Sequence, residues 1–393
     1  MAHVLIGFAE ALPAPEVLFS LLAAGHHVSA FARSGDLPLR HLPLQSLQVI
    51  PAPEDDARAS AVALAALMTG PEAPDLVLPL DDVGLWLCGA AGLDPARIAG
   101  ASGARAEAAL DKSLQVSAAE KAGLALPPTT VVRKAVDLDT DLLLPVIAKP
   151  ALAVRVIANR LGKGDATYLR DKGQQAMLMA LLEPDQDPEP LLVQPLVGGV
   201  GEGVFGFATP QGVVGWSGHA RVRMMNPHGS GSSACRAQPP DENTRAAVTR
   251  FLQALDWRGP FMVELLRDAD GTAWFMELNG RMWGSLALAR RQGLEYPAWS
   301  VAQALDPGFV PDLPERAPDP GVIRNLGREI LHLAFVLRGP KSAFHRAGWP
   351  SFWRSAAAVL TPAPRRRFYN HDPAHPWFFL REAAWTVRRT LRR

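Results

Sequence analysis

Residues 261–281 read FMVELLRDADGTAWFMELNGR, and this is the most informative stretch of the chain. Two apolar segments rich in β-forming residues, 261–267 and 272–279, flank the turn sequence Asp268-Ala269-Asp270-Gly271. Such segments joined by a short turn that contains glycine are typical of a β-hairpin. The sequence therefore predicts two antiparallel strands, and the turn determines which side chains face each other.

The predicted register brings acidic side chains together. With a tip at Ala269-Asp270, Glu264 pairs with Phe275, and Glu264, Glu277 and Asn279 share one face. Glu264 and Glu277 are then diagonal neighbours, with Cα atoms roughly 7 Å apart. Carboxylates this close repel each other, and a divalent cation between them removes the repulsion. Two acids and an amide oxygen are hard ligands that suit Mg²⁺ shared with phosphate groups. The alternative is a solvated polar face with ordinary surface ion pairs.

Cationic residues that suit a nucleotide phosphate occur elsewhere in the chain. Arg281 follows the hairpin and is placed to neutralise a developing phosphoryl charge. Lys112 starts a predicted helix and Lys149 ends a predicted strand, so each can reach a phosphate, although a lone lysine is usually a surface residue. The segment 194–197, Gln-Pro-Leu-Val, can offer backbone groups to an adenine edge.

The first hundred residues have the pattern of a parallel α/β unit. Short apolar strands and a helical segment alternate at residues 3–8, 14–25, 26–32 and 75–80. Asp81-Asp82 follow the last of these strands, where ligands of open sheets bind, although a helix N-cap pair is the commoner explanation. Residues 191–280, in contrast, predict antiparallel strands separated by glycine-rich turns.

Composition narrows the class of protein. The chain has 393 residues, of which 48% are hydrophobic and 20% charged, and this excludes disordered and collagen-like chains. With only Cys88 and Cys235 there is no disulfide framework, so we expect a cytoplasmic location. The N-terminal residues lack the features of a signal peptide, and no apolar stretch reaches the roughly 18 residues of a membrane span.

Taken in chain order, these motifs resemble the ATP-grasp superfamily of carboxylate–amine ligases. Among its branches, they are most similar to carbamoyl-phosphate synthase large chains and D-aspartate ligases. The residues that carry the resemblance are Asp111-Lys112, Gly123, 127–129, 145–150, 193–196, 201–206, 219–223, Glu264 and 277–281.

The resemblance implies a fold of class α/β and α+β. An N-terminal parallel α/β (pre-ATP-grasp) domain precedes a two-lobed ATP-grasp fold, and a basic helical C-terminal extension follows. The implied boundaries are 1–104 for the pre-ATP-grasp domain, 105–190 for the small lobe, 191–320 for the antiparallel catalytic lobe and 321–393 for the extension.

The resemblance also implies roles for individual residues. Lys112 and Lys149 would hold ATP phosphates, Gln194 and Leu196 would border adenine, and Glu202 would lie near the ribose. Glu264, Glu277 and Asn279 would bind Mg²⁺, usually two ions, with Mn²⁺ as an alternative. Arg281 would steady the transferred phosphoryl group. The implied reaction phosphorylates a carboxylate with ATP, and an amine then attacks the acyl-phosphate to give an amide, ADP and phosphate.

The substrate side rests on a second basic segment. Arg221 and Arg223 alternate along a predicted strand, and a Gly/Ser-rich loop at 226–233 follows. Two arginines and the backbone N–H groups of such a loop suit a carboxylate and its acyl-phosphate. The alternative is a plain solvent-facing strand and turn. Residues 151–160 replace the glycine-rich phosphate lid that is usual in the superfamily.

Three functional alternatives stay open from sequence. One is a non-catalytic nucleotide-binding, membrane-associated protein that keeps the fold, and the others are an acyl-phosphate enzyme with a thiol acceptor or one that carboxylates its substrate. We expect the partners to be a small-molecule carboxylate and a small-molecule amine, and we expect no specific binding of nucleic acid. The sequence is compatible with an oligomer.

The net charge of +1 is the sum of two opposite charges. Residues 321–393 contain fourteen Arg and Lys residues but only three acidic ones, which gives +11, and residues 1–320 carry −10. This basic segment also contains four tryptophans. One interpretation is peripheral contact with an anionic membrane. The other is a helical appendage docked by its tryptophans, with its arginines in water, and the residues slightly favour it.

Overall fold

A computed structural model of the protein describes residues 1–138, 142–182, 189–315, 318–341, 346 and 348–391. Arg392 and Arg393, which end the predicted basic segment, lie outside the described residues. The chain folds around three main β-sheets, and several of the predicted functional residues line a cavity formed by elements of the N-terminal region and of the largest sheet.

The N-terminal region contains a four-stranded parallel sheet in the order β3-β2-β1-β4. Its strands are β1 (His3–Gly7), β2 (His27–Ala32), β3 (Leu47–Val49) and β4 (Leu76–Pro79), and its helices are α1 (Ala14–Ala23), α2 (Ala57–Leu67) and α3 (Asp82–Ala90). Leu5 and Ile6 in β1 are both buried, so each face of the sheet is covered. The predicted parallel α/β unit is therefore confirmed.

The second region is a smaller antiparallel sheet in the order β5-β10-β6-β9. Its strands are β5 (Thr130–Val132), β6 (Val146–Pro150), β9 (Thr167–Leu169) and β10 (Leu191–Pro195), and a separate hairpin joins β7 (Arg155–Ile157) to β8 (Arg160–Gly162). Helix α6 (Lys172–Leu182) packs on this sheet, whereas α4 (Ala104–Leu110) and α5 (Lys112–Ala122) precede it in the chain and pack in the apolar cluster of the largest sheet.

The largest sheet has six antiparallel strands in the order β15-β14-β11-β12-β13-β16. These strands are β11 (Val200–Thr209), β12 (Gly212–Asn226), β13 (Ser230–Ala237), β14 (Gly259–Arg267), β15 (Ala273–Asn279) and β16 (Val322–Arg324). Helices α5 and α7 (Glu242–Ala254) cover one face, where Phe251, Val263 and Leu265 belong to one buried apolar cluster. Because side chains alternate along a strand, Glu264 lies on the opposite face.

The C-terminal residues are part of the central fold rather than a purely helical extension. Strand β16 pairs with β13, so the predicted boundary at residue 321 cuts through the largest sheet. One buried cluster joins Ile6 of the N-terminal sheet to Phe205, Ile323 and Phe378. The remaining helices are α8 (Leu286–Arg291), α9 (Tyr296–Leu305), α10 (Leu326–Arg338), α11 (Phe352–Leu360) and α12 (Phe378–Leu391).

Two of the four C-terminal tryptophans dock against the protein. The indole N–H of Trp385 donates to the carbonyl of Asp36 at 2.9 Å, and the Trp349 ring lies against the His228 ring with centroids 4.6 Å apart. Trp353 and Trp377 remain exposed. The interpretation of a docked segment is therefore confirmed for two tryptophans. Within the described ranges, no helix has both the length and the apolar character that a membrane crossing requires.

Candidate active site

Glu264 and Glu277 face each other directly across the hairpin formed by β14 and β15. Met262 lies opposite Asn279 in the same register, and all four side chains line one cavity. The prediction that Glu264, Glu277 and Asn279 share a face is therefore confirmed. We call this space, which has a volume of about 420 Å³, the central cavity.

The predicted pairing of Glu264 with Phe275 is wrong, because Phe275 lies opposite Leu265. The turn is longer than predicted, since the Asp268 carboxylate accepts hydrogen bonds from two backbone N–H groups within it. A β-bulge between Glu264 and Leu265 adds a second shift. Together the two shifts convert the predicted diagonal pair of carboxylates into a direct pair.

Cationic side chains compensate this pair of carboxylates. Arg221 Nη2 lies 2.6 Å from Glu264 Oε1, and Lys112 Nζ lies 3.7 Å from Glu277 Oε2. Burial raises the pKa of Glu264, Arg221 opposes this effect, and the Glu277 carboxylate adds to it. The ionised form of Glu264 is therefore disfavoured mainly by burial, and a divalent cation bound between the two carboxylates would offset this cost.

The donor set fits Mg²⁺ on its chemistry. Glu264, Glu277 and Asn279 together offer two carboxylates and one amide oxygen on one face of the sheet. In the part of the chain that the structure describes, no three His, Cys, Asp or Glu side chains converge as a metal-binding group. An ion held here would therefore complete its coordination with waters and phosphate oxygens, as Mg²⁺ usually does.

Lys149 joins the same electrostatic cluster from the small sheet. It lies on β6 opposite Leu192 of β10, near the end of its strand. Burial and the neighbouring Lys112 lower the pKa of Lys149, whereas Glu277 and Glu264 raise it. Two lysines and two glutamates from four separate elements thus act on one another, which suits the binding of a polyphosphate.

The backbone around Lys112 fixes its position beside the end of β6. The Asp111 side chain caps α5 by accepting a hydrogen bond from the Ser113 backbone N–H at 2.8 Å. The backbone N–H of Lys112 donates to the carbonyl of Ala151, just past β6, at 2.8 Å. The first residue of α5 is therefore tied to the strand that carries Lys149.

The residues predicted to border adenine lie at the end of β10. Gln194 is buried, and its side-chain amide donates to the Thr129 hydroxyl at 2.7 Å. Leu196 follows the strand and is half-buried. The structure gives no direct contact between these two residues and the carboxylate pair, so their role stays a prediction.

Glu202 is not brought to the cluster. It pairs with Leu265 on β14, whereas its neighbour Gly203 pairs with Glu264, so Glu202 points to the opposite face. There it forms an ion pair with Arg267, with oxygen to Nε distances of 2.9 and 3.1 Å. The ribose role predicted for Glu202 therefore has no geometric support.

Arg281 is anchored by a residue of the N-terminal domain. Its Nε lies 3.1 Å from Asp82 Oδ1, and Lys163 Nζ lies 3.3 Å from Asp82 Oδ2. Burial opposes ionisation of Asp82, but Arg281 and Lys163 outweigh it and lower the pKa of Asp82 to about 2. Asp81 accepts a hydrogen bond from the Gly84 N–H and caps α3. Sequence reasoning found this acidic pair but missed its contact with Arg281.

Only one of the two predicted substrate arginines lines the central cavity. Arg221 does, whereas Arg223 forms an ion pair with the buried Glu329 of α10. The pairing of β12 with β13 is irregular on both sides of Arg223, which breaks the simple alternation expected from sequence. Gly231 and Ser232 of the following strand do line the cavity. Arg223 therefore holds the C-terminal segment rather than the site.

Two lining residues were missed as functional candidates. His219, two positions before Arg221, belongs to the conspicuous basic segment of the sequence, but Arg328 lies more than a hundred residues from the hairpin. His219 Nδ1 is 2.8 Å from the Ser285 hydroxyl, and its Nε2 is buried without a hydrogen-bond partner in the structure. Burial, reinforced by Arg221, lowers the pKa of His219 to about 3.

Replacing Glu264 with glutamine is expected to stabilise the nucleotide-free protein at neutral pH. A raised pKa in the folded state means that the ionised carboxylate costs stability above that pKa, and the amide carries no such cost. The gain in Tm should shrink as pH falls through the raised pKa towards the ordinary value of 4.5. Thermal melts across pH test this, with the exposed Glu120→Gln as a matched control. A lower Tm in Glu264→Gln would mean that the Arg221 ion pair dominates.

His219 is expected to make the protein sensitive to acid. Its pKa is about 3 when folded against an ordinary 6.5, so stability falls as pH drops below 6.5, where only the unfolded chain binds the proton. Between about pH 7 and pH 5 this loss amounts to roughly 2 kcal/mol. In His219→Asn, the free energy of unfolding measured with urea should fall between pH 7 and pH 5 by roughly 2 kcal/mol less than it falls in the wild type. The exposed His27→Asn serves as a control, and equal losses in all three proteins would contradict the prediction.

The comparisons with known proteins rest on structure, because no family model and no curated sequence matches the chain. An L-amino acid ligase from Bacillus licheniformis is similar with 18% identity and a TM-score of 0.57, covering 77% of this chain and 73% of its own. An N5-carboxyaminoimidazole synthetase from Staphylococcus aureus has 15% identity and a TM-score of 0.60, covering 86% and 87%. A biotin carboxylase from Campylobacter jejuni has 15% identity and a TM-score of 0.62, covering 82% and 74%.

These structural neighbours are ATP-grasp enzymes, and they cover most of this chain. The layout of the N-terminal parallel sheet and the two antiparallel sheets matches the fold class that the sequence predicted. The protein has the ATP-grasp fold.

Proposed function

We propose that the protein is an ADP-forming ligase that activates a carboxylate with ATP and transfers the acyl group to an amine. The observation that carries this proposal is the cluster in which Glu264 and Glu277 lie opposite each other with Lys112 and Arg221 against them. The two carboxylates of such a cluster suit a divalent cation, and its lysine and arginine suit a polyphosphate and a carboxylate.

Each of the predicted site residues has a distinct role in the proposed site. Glu264, Glu277 and Asn279 hold Mg²⁺, two ions in the form that the superfamily resemblance implies, with Mn²⁺ as an alternative. Bound Mg²⁺ supplies charge neutralisation at the phosphates. Lys112 and Lys149 bind phosphate oxygens, and Gln194 and Leu196 border the base: these residues come from the N-terminal end of α5, from β6 and from the end of β10.

The chemistry proceeds in two balanced steps. A carboxylate oxygen attacks the terminal phosphorus of ATP, the bond to the bridging oxygen breaks, and ADP leaves. The amine nitrogen then attacks the carbonyl carbon, the bond to phosphate breaks, and the nitrogen loses a proton. Arg281 and Arg221, which both line the central cavity, neutralise the oxygens that gain charge. Positioning and charge compensation supply the catalysis.

The activities of the structurally similar enzymes support this class of reaction. One is an L-amino acid ligase, and others are N5-carboxyaminoimidazole ribonucleotide synthetases and biotin carboxylases. A synthetase of this kind was solved as an ADP complex, and a biotin carboxylase domain from Hydrogenobacter thermophilus was solved with MgADP and bicarbonate. Transfer to a thiol and carboxylation share the same activation step and are the alternative reactions.

Trapping the activated acid tests the proposal. The protein is incubated with ATP, Mg²⁺ and a panel of carboxylic acids, and hydroxylamine is added as a strong nucleophile. We expect ADP release and a hydroxamate for at least one acid, both dependent on Mg²⁺, and amide formation when an amine replaces hydroxylamine. A protein that binds ATP but yields neither ADP nor hydroxamate above the Glu277→Gln variant would be a non-catalytic nucleotide-binding protein.

Membrane association through residues 321–393 stays a separate prediction, tested by co-sedimentation with anionic and neutral liposomes.

A further inference from the structure

A second cavity lies beside the central cavity, between the N-terminal domain and the last helix. Its volume is about 420 Å³, and we call it the lateral cavity. The loop after β1, residues 37–39 and α12 form its walls. Leu12, Leu37, Phe378 and Trp385 give most of this lining an apolar character. Ligand pockets of small molecules have this size and this kind of lining.

The two cavities share part of their walls. Ala11, Leu12 and Arg328 line both the central cavity and the lateral cavity. The central cavity contains Glu264, Glu277 and Arg281, so a ligand bound at the shared residues lies next to both the apolar lining and the reacting groups. The lateral cavity is therefore placed for the part of a substrate that does not react.

Arg328 lies at this junction, and among the described residues Glu382 is an acidic group that acts on it electrostatically without forming an ion pair with it. Its Nη1 donates to the backbone carbonyl of Ser232 at 3.1 Å, and no ion pair joins it to a carboxylate of the described residues. Burial lowers the pKa of Arg328, and Tyr369 and Glu382 act in the opposite direction. A buried guanidinium of this kind gains most from an anion that a ligand brings.

The acidic groups of the lateral cavity are already engaged by the protein. Glu10 accepts hydrogen bonds from the backbone N–H groups of Arg33 and Ser34 at 2.6 and 3.1 Å, and the Arg33 guanidinium lies 3.8 Å away. Glu382 accepts a hydrogen bond from the Thr386 hydroxyl at 2.6 Å, and burial raises its pKa. Recognition of an anion at Arg328 is therefore favoured over recognition of a cation.

We propose that the lateral cavity binds the apolar body of the carboxylate substrate, with its carboxylate held by Arg328 at the shared wall. The proposal rests on the ligase function above and specifies its acid as one with an extended hydrocarbon part. The carboxylate then faces Arg281 and Glu264, while the hydrocarbon packs between Leu12 and the aromatic side chains of α12.

Calorimetric titration of the intact protein with butanoate, hexanoate and octanoate tests this assignment without nucleotide. Each methylene buried in the lateral cavity should tighten binding about threefold to fourfold. Succinate, a short polar diacid, and hexylamine, a cation of matching length, should bind far more weakly than hexanoate. Affinity that does not change with chain length, or hexylamine that binds better than hexanoate, would overturn the proposal.

Two variants locate the binding site. Thr390→Phe places an aromatic ring in the lateral cavity and should weaken octanoate binding by at least about tenfold, whereas Ala384→Phe, on the exposed side of the same helix, should not. Arg328→Gln should weaken all the acids, since it removes the anchoring charge. Octanoate that binds Thr390→Phe as well as the wild type would place the acid elsewhere.

The two proposals fail in different ways. If the acids bind with the expected dependence on length but neither ADP nor hydroxamate forms, the ligase function is wrong, while the lateral cavity remains a binding site for aliphatic acids. If hydroxamate forms from short acids while Thr390→Phe leaves every affinity unchanged, the ligase function stands and the cavity assignment is wrong.

Discussion

Replacing Glu277 with glutamine is expected to lower the rate of ATP-dependent turnover by at least about a hundredfold. The substitution keeps the shape of the side chain but removes one of the two carboxylates that face each other across the hairpin. It also turns the Lys112–Glu277 ion pair into a contact with a neutral amide. Because the proposed cation site contains only two acids, the Mg²⁺ concentration for half-maximal activity should rise about tenfold or more. ADP release measured across a Mg²⁺ titration checks both effects.

Glu120→Gln is the matched control for this experiment, because it makes the same change at an exposed position of α5. It should leave the rate and the Mg²⁺ dependence unchanged. If Glu277→Gln turned over ATP at the wild-type rate with the same Mg²⁺ requirement, the hairpin would have no part in the mechanism.

Replacing Lys149 with methionine is expected to weaken ATP binding by about ten- to a hundredfold, the value of one charged hydrogen bond. The fold should tolerate the change, since burial already disfavours the charge on Lys149 and methionine has a similar length. Wild-type affinity for ATP should also decline at alkaline pH, and earlier than for an ordinary lysine, because the pKa of Lys149 is lowered. This alkaline decline should be smaller in Lys149→Met. Calorimetric titration with MgATP at several pH values measures both properties.

The exposed Lys121→Met on α5 serves as the control and should bind MgATP like the wild type. A Lys149→Met protein with unchanged ATP affinity at neutral pH would show that the lysine does not reach the nucleotide. In that case Lys112, together with Arg221 and Arg281, would have to supply the positive charge at the phosphates.

Much of the site follows from local patterns in the sequence. Alternating polar and apolar residues placed Glu264, Glu277 and Asn279 on one face, and the sheet confirms it. The end of a strand and the start of a helix are local features, so Lys112 and Lys149 were recognisable as candidates before the cluster was known. Parallel strands in the N-terminal domain were predictable for the same reason.

Other parts depend on contacts between distant residues. Arg221 and Arg223 are two residues apart on one strand, so the sequence predicts the same face for both. In the structure Arg223 instead forms an ion pair with Glu329, which lies more than a hundred residues later in the chain. Glu202 was assigned by resemblance, and only the pairing of β11 with β14 shows that it points to the other face. The anchoring of Arg281 by Asp82 joins residues almost two hundred positions apart.

The sequence alone determined which residue types the hairpin presents, because strand alternation depends on neighbours along the chain. It also determined the acidic body and the basic C-terminal segment, since charge is a property of composition. Only the tertiary structure determined that the carboxylates pair directly, because the bulge and the longer turn arise from hydrogen bonds with no periodic signal. It likewise determined that the basic segment contributes β16 and the wall of a second cavity, since the burial of an arginine such as Arg328 is recognised only from its surroundings.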